Sequence, residues 1–337
     1  MRIINYALAA AGIVIILLLI SCSPAEMNNS EKRLTQAYPF GADTIFDQPT
    51  LFAPGSISTM DYELNNQFNS DQTIIYYTKS TPGFNLMTMV SSEYRDGRWS
   101  PPKVLSFSGQ YVDSDPYLSP DGSKMYFISK RPNPGETSDD FDIYVTERTD
   151  NEWSDPQRLE APINSDQPDY YPAITNNGTL YLSTVREGGE GSFDLYRSNR
   201  NEDGSYGILE NLGAAINSES AEIDVYVDPD EEYIIFVSYK SEGFGSGDLY
   251  VSFNKDGKWS EAENLGQPVN SSAREYTPLV TPDGRFLFYT SERSFADAPL
   301  DTTFTAEELQ NRLRQAGNGL GDIYFIELST LDAFKNR

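Results

Sequence analysis

The 337-residue chain has no histidine and a single cysteine, Cys22. Zinc sites built on imidazole and paired thiolates are therefore excluded, as are Ser-His-Asp and Cys-His nucleophilic machinery. No disulfide can form within one chain, so stability must come from packing. Positive charge is also scarce: 25 Lys and Arg stand against 51 Asp and Glu, a net charge of −26. Such a surface repels phosphate backbones, which argues against nucleic acid as a partner. Any catalytic chemistry must draw on carboxylates, tyrosine, lysine or an oxygen-bound metal.

The apolar run from Ala7 to Ile20 is shorter than the roughly 20 residues that span a membrane. With Arg2 before it and small residues after it, the segment has the three parts of a secretory signal. Leu19-Ile20-Ser21-Cys22 resembles a bacterial lipobox, which implies cleavage before Cys22 and diacylglycerol on its sulfur. On this reading residues 1–21 are a lipoprotein signal peptide, and residues 22–42 are the lipidated cysteine and a polar tether. Removing residues 1–21 removes Arg2, leaving 24 basic and 51 acidic residues, or −27. The expected location is the bacterial outer membrane, anchored by the lipid and facing the periplasm.

Beyond residue 43 the sequence repeats, and repetition outranks local propensity as evidence for fold. One marker is a tight turn followed by an aromatic: Asp96-Gly97-Arg98-Trp99, Asp150-Asn151-Glu152-Trp153, Asp203-Gly204-Ser205-Tyr206 and Asp256-Gly257-Lys258-Trp259. The aromatics lie 54, 53 and 53 residues apart. Asp-Gly and Asp-Asn tolerate positive φ and favour hairpins. A second marker, Ser119-Pro120-Asp121-Gly122 and its echoes at 175–178, 228–231 and 281–284, suits a type I turn. Strand-like runs such as Met125-Tyr126-Phe127-Ile128 follow it. A third marker is Asp142-Ile143-Tyr144, Asp194-Leu195-Tyr196, Asp248-Leu249-Tyr250 and Asp322-Ile323-Tyr324. Four antiparallel strands in about 53 residues make a propeller blade.

These markers predict an all-β, five-bladed β-propeller over residues 43–330. The last unit lacks an aromatic outer strand after Leu328. Phe46-Asp47-Gln48-Pro49-Thr50-Leu51-Phe52-Ala53-Pro54 matches the outer-strand segment Trp153–Pro162, so the N-terminal segment is expected to complete blade five and close the ring. The repeats resemble the WD-like propeller repeats of the TolB family, carried by Ser119-Pro120-Asp121-Gly122, Met125-Tyr126-Phe127, Asp142-Ile143-Tyr144 and the Leu-Gly to Asn-Ser links near Leu212 and Leu265. That resemblance implies an envelope propeller with a protein partner.

A column of acids recurs at the start of the inner strands: Asp113, Asp169, Glu222 and Glu275, with Asp61 a looser member. If they ring the channel mouth, three uses are open. They could cap backbone amides of the preceding link, hold a hard cation such as calcium, or supply a carboxylate pair for glycoside hydrolysis. The Asp residues before the third strands recur too regularly for one active site and read as structural. Symmetry breaks in blade five, where 29 residues rather than 8 separate the basic residue after the second strand from the third-strand Asp. That insertion, residues 295–320, predicts a helix capped by Thr305 beside the acidic mouth.

Equivalent, repeated acids supply no asymmetry for catalysis. The expected function is therefore a non-catalytic module binding an envelope protein or cell-wall glycan. The alternative is a carboxylate-dependent glycoside hydrolase of the five-bladed type. For the anchor, Cys22→Ser should abolish incorporation of a fatty-acid probe and release the protein from membranes; undiminished label in the mutant would refute the lipobox.

Overall fold

Asp-Gly and Pro-Asp turns reverse the chain at short intervals, so the strands between them pair with sequence neighbours. The computed structural model describes residue 40 and residues 43–132, 140–149, 152–297 and 303–335. Cys22, the lipobox and the tether to residue 39 lie outside the described residues. Five antiparallel sheets form five blades. Their inner strands are Tyr62–Phe68, Asp113–Leu118, Asp169–Ile174, Glu222–Val227 and Glu275–Val280. Each is followed outward by a second and a third strand, Lys124–Ser129 and Asp142–Thr149 in blade two, for example. Among the described residues no helix is long and apolar enough to cross a membrane.

The outer strand differs from expectation. In blades one, two and four it is split into two pairs of residues, as in Arg98–Trp99 and Lys103–Val104. A serine hydroxyl causes the break. Ser100, Ser154 and Ser260 each accept the amide of the neighbouring third strand (Glu93, Glu147 and Phe253) at 3.1 Å. The side chain takes the place of one ladder bond, and the backbone turns aside.

Blade five closes as the sequence indicates. Thr50–Leu51 pairs with Asp322–Glu327, Thr50 opposite Phe325 and Leu51 opposite Tyr324. The register matches that of Gln157 and Arg158 opposite Val145 and Tyr144 in blade two. Around this seam Phe52 packs edge-on to Phe288 and Trp99, and Phe46 to Phe325, with centroids 5.0–5.6 Å apart. The other tryptophans also cross between blades, Trp153 against Tyr76 and Trp259 against Tyr181. Such pairs add about 0.5–1.5 kcal/mol each beyond their area.

The Asn-Ser links have a physical reason. Asn217 accepts the Leu195 amide and donates to the Leu195 carbonyl, imitating a strand partner where the chain passes to the next blade. Asn164 and Asn270 do the same for Ile143 and Leu249. The third-strand acids hold their own loops: Asp194 and Asp248 each accept two loop amides, while Asp142 takes the Arg158 fork.

In the blade-five insertion, Thr305 and Glu308 form a reciprocal capping box on the helix Ala306–Leu313. No residue of that helix is buried. Asn318, beyond its end, donates to the carbonyls of Leu313 and Met60.

Deleting residues 43–57 should lower the thermal midpoint by at least about 10 °C, because it opens the edge of blade five and removes Phe46 and Phe52. Phe52→Ala should give a smaller drop in the same direction. An unchanged midpoint after deletion would show that the ring closes by other contacts.

Candidate functional site

The acidic column is fully buried, and each member is consumed within its own link. Asp113 accepts from Ser108, Ser129 and Arg131 at 2.9, 2.6 and 2.8 Å. Asp169 accepts from the Ser165 amide and hydroxyl and from Arg186. Glu222 takes the amide and hydroxyl of Ser218 and the hydroxyl of Ser238. Glu275 takes the equivalent Ser271 and Ser291 groups and pairs with Arg293 at 3.2 Å. In blade one the matching position is Glu63 rather than Asp61. Glu63 accepts from the Thr59 amide and hydroxyl and from Lys79, whereas Asp61 is a half-exposed partner of Lys79. The oxygens that a calcium ion would need are already bonded. Among the described residues, no three acids gather where a metal could sit.

The symmetry breaks two residues further along. Each inner strand loses register after its second or third residue, between Leu64 and Gln67, Ser114 and Tyr117, Tyr170 and Ala173, Ile223 and Tyr226, and Tyr276 and Leu279. The first residue of every bulge has positive φ: Asn65 (52°), Asp115 (57°), Tyr171 (54°), Asp224 (55°) and Thr277 (51°). Asn and Asp tolerate this region, but Tyr and a β-branched Thr are strained there. A bulge re-aims a side chain, and here all five bulges face one small cavity in the channel. Its volume is about 30 Å³, room for roughly one water.

The five ring residues differ, and two of them are acids. Asp115 is 7 % and Asp224 3 % exposed. Ser114 donates to Asp115 Oδ1 at 2.9 Å, while Asp115 Oδ2 and both Asp224 oxygens lack a well-formed hydrogen bond. Burial, reinforced by the charge of Asp224, drives the Asp115 carboxyl well above the usual range. Burial also pushes Asp224 up, but the charge of Arg274 and the approach of the Thr277 amide restrain it to about 7. The two carboxyls thus differ: Asp115 is held well above the usual range and Asp224 is raised to about 7.

Tyr171, half-buried, lines the same cavity, and burial together with the charges of Asp224 and Asp115 holds its hydroxyl well above the usual range. Tyr276 donates to Tyr62 at 2.8 Å, and Tyr62 donates to Glu292. Gly321 is required here, because a Cβ would stand 2.3 Å from the Tyr62 ring and 2.7 Å from the Tyr276 hydroxyl. The acidic column named from sequence stops two residues short of this ring. The available signal was the column itself: Asn-Asn, Asp-Pro, Tyr-Pro, Asp-Val and Thr-Pro occupy one aligned position. Unlike the acidic column two residues earlier, it carries an acid in only two blades.

No protein-family model matches the sequence, and no curated protein matches it. Solved structures share the fold. A BT0996 complex with RGII superposes with a TM-score of 0.54 at 8% identity, covering 89% of this chain and 94% of the matched one. The catalytic domain of a Coprinopsis cinerea GH62 alpha-L-arabinofuranosidase gives 0.47 at 11%, covering 86% and 99%. CoXyl43, a GH43 beta-xylosidase/alpha-arabinofuranosidase from a compost microbial metagenome, gives 0.45 at 12%, covering 83% and 94%. At these identities the likeness speaks for the fold alone. The expectation of a non-catalytic binding module rested on equivalent, repeated acids and is corrected at that point: the ring holds two unequal carboxyls.

The ring has a consequence for stability. The folded protein holds the Asp224 proton more tightly than the unfolded one, where the carboxyl titrates near 3.8. The folded state therefore loses stability as pH rises from about 4 to about 7. Asp224→Asn should flatten this slope and, at pH 8, exceed the native protein by up to roughly 4 kcal/mol. Denaturant midpoints between pH 5 and 8 measure it; an identical slope in both proteins would contradict the assigned shift.

Proposed function

We propose that this chain is a carboxylate-dependent glycoside hydrolase working at the bulge ring. The observation that carries this reading is the pair Asp115 and Asp224, both buried and both lining the cavity, at an aligned position that holds an acid in only two of the five blades. Structural acids recur in every blade, whereas a single active site must break five-fold symmetry.

In this reading Asp115, protonated, donates to the glycosidic oxygen as it leaves. Asp224, ionised above about pH 7, takes a proton from the water that attacks the anomeric carbon. Both steps are general acid–base catalysis, worth about 10²–10⁴-fold each. The water-sized space at the ring suits an attacking water, so inversion at the anomeric carbon is the expected outcome. The sugar then lies above the ring, against Tyr171. We further propose that Cys22 carries a lipid that holds the enzyme at the outer membrane, where envelope or environmental glycans reach it; Leu19–Cys22 supports this.

A panel of nitrophenyl glycosides and oligosaccharides tests the activity by reducing-end release. Asp115→Asn and Asp224→Asn should each lower kcat at least about a hundredfold while the thermal transition persists. The acid limb of kcat/KM should fall near pH 7 and disappear with Asp224. Turnover that survives both substitutions, or its absence across the panel, would refute the assignment.

A further inference from the structure

Arg274 stands apart from the other partly buried arginines. Arg131, Arg186 and Arg293 each direct their forks at an inner-strand acid and at link carbonyls. Arg274 lies on the link between blades four and five, its backbone bridged to Gly247. Its side chain is 21 % exposed, yet the Nε–H is buried without a partner. Its ion-pair partner, Glu292 Oε1, is 3.9 Å away and already accepts from Tyr62. The guanidinium lies over the Tyr276 ring at 4.3 Å and the Tyr239 ring at 5.7 Å. It directly precedes the inner strand Glu275–Val280, whose Thr277 lines the ring cavity, and its charge acts on Asp224 and Tyr171.

A buried donor on a charged group left without a partner costs more than the roughly 1–3 kcal/mol of a neutral one, and the Nε–H of Arg274 is such a donor. On a chain of net charge −26, an anion approaches only where a local cation offsets the surrounding field. A guanidinium flanked by aromatic rings presents a planar fork, which matches a carboxylate better than a point charge does. Resting on the hydrolase reading, we infer that Arg274 is a specificity-determining residue that binds the carboxylate of a uronic-acid sugar next to the scissile bond.

The test compares binding with cleavage on the full-length protein. Tetragalacturonate and a glucuronate-bearing xylo-oligosaccharide are titrated calorimetrically beside their methyl esters, which keep the shape and lose the charge. The native protein should bind at least one acid about tenfold or more tightly than its ester. Arg274→Gln should erase that preference, and Arg274→Lys should retain part of it, because charge survives without the fork. If Arg274→Gln fails to fold, loss of most of the preference in Arg274→Lys still decides the point. Equal binding of acid and ester by the native protein overturns the inference, as does a preference that survives in a folded Arg274→Gln. Tighter binding of a sulfated oligosaccharide would overturn the carboxylate assignment. Cleavage of neutral sugars with no acid preference would sink this inference and leave the hydrolase standing. Acid-selective binding with no cleavage would sink the hydrolase alone.

Discussion

Everything at the channel depends on one edge being covered. A four-stranded blade exposes unpaired amides and carbonyls on its outer strand, and a ring of five must also join its first blade to its last. Thr50–Leu51 does both by pairing with Asp322–Glu327, while Phe46 and Phe52 fill the seam between blades five and one. Segments from opposite ends of the sequence thereby become neighbours, and five separate hairpin sheets become one closed body. The five inner strands can then face one another. Without closure there is no channel, and Asp115 of blade two and Asp224 of blade four have no shared surroundings.

The closed ring divides its carboxylates into two populations by what surrounds them. Those at the first inner-strand position meet serine hydroxyls and, in blades two, three and five, an arginine fork. They lock link to blade, and the lock repeats because the blade repeats. Two residues on, the bulge turns the side chain toward the axis, away from those donors. There burial dominates: it drives Asp115 well above the usual carboxyl range and raises Asp224 to about 7, a rise that Arg274 restrains. Asp113 and Asp115, with one residue between them in sequence, thus have different surroundings, one ringed by hydroxyls and a guanidinium and the other with Oδ2 unbonded.

The same separation sets the bulge ring apart from the links around it. The links contribute repeated, satisfied hydrogen bonds, such as those of Asn164, Asn217 and Asn270. The axis contributes five positive-φ residues and carboxyl oxygens without partners on Asp115 and Asp224. A fold this regular tolerates such costs at one level of its channel because the repeated links around it are well bonded. Selection for stability alone would favour neutral residues at Asp115 and Asp224, so their presence speaks for function.

Blade number, strand order and ring closure were legible in the sequence because turn chemistry and pairing are local and repeated five times. Asp-Gly hairpins, Pro-Asp turns and the match of Phe46–Pro54 to Trp153–Pro162 each act over a few residues, so their spacing carries the architecture. The split of the outer strand was hidden, since it depends on a serine hydroxyl reaching a neighbouring amide. The functional ring was hidden for a deeper reason. Sequence alignment brought out Asp113, Asp169, Glu222 and Glu275 because they repeat, and repetition marks what every blade needs. Which acids lose their partners depends on a one-residue register shift that points Asp115 and Asp224 at the axis. Their protonation depends on how five blades exclude water around them, and that is a property of the closed ring alone.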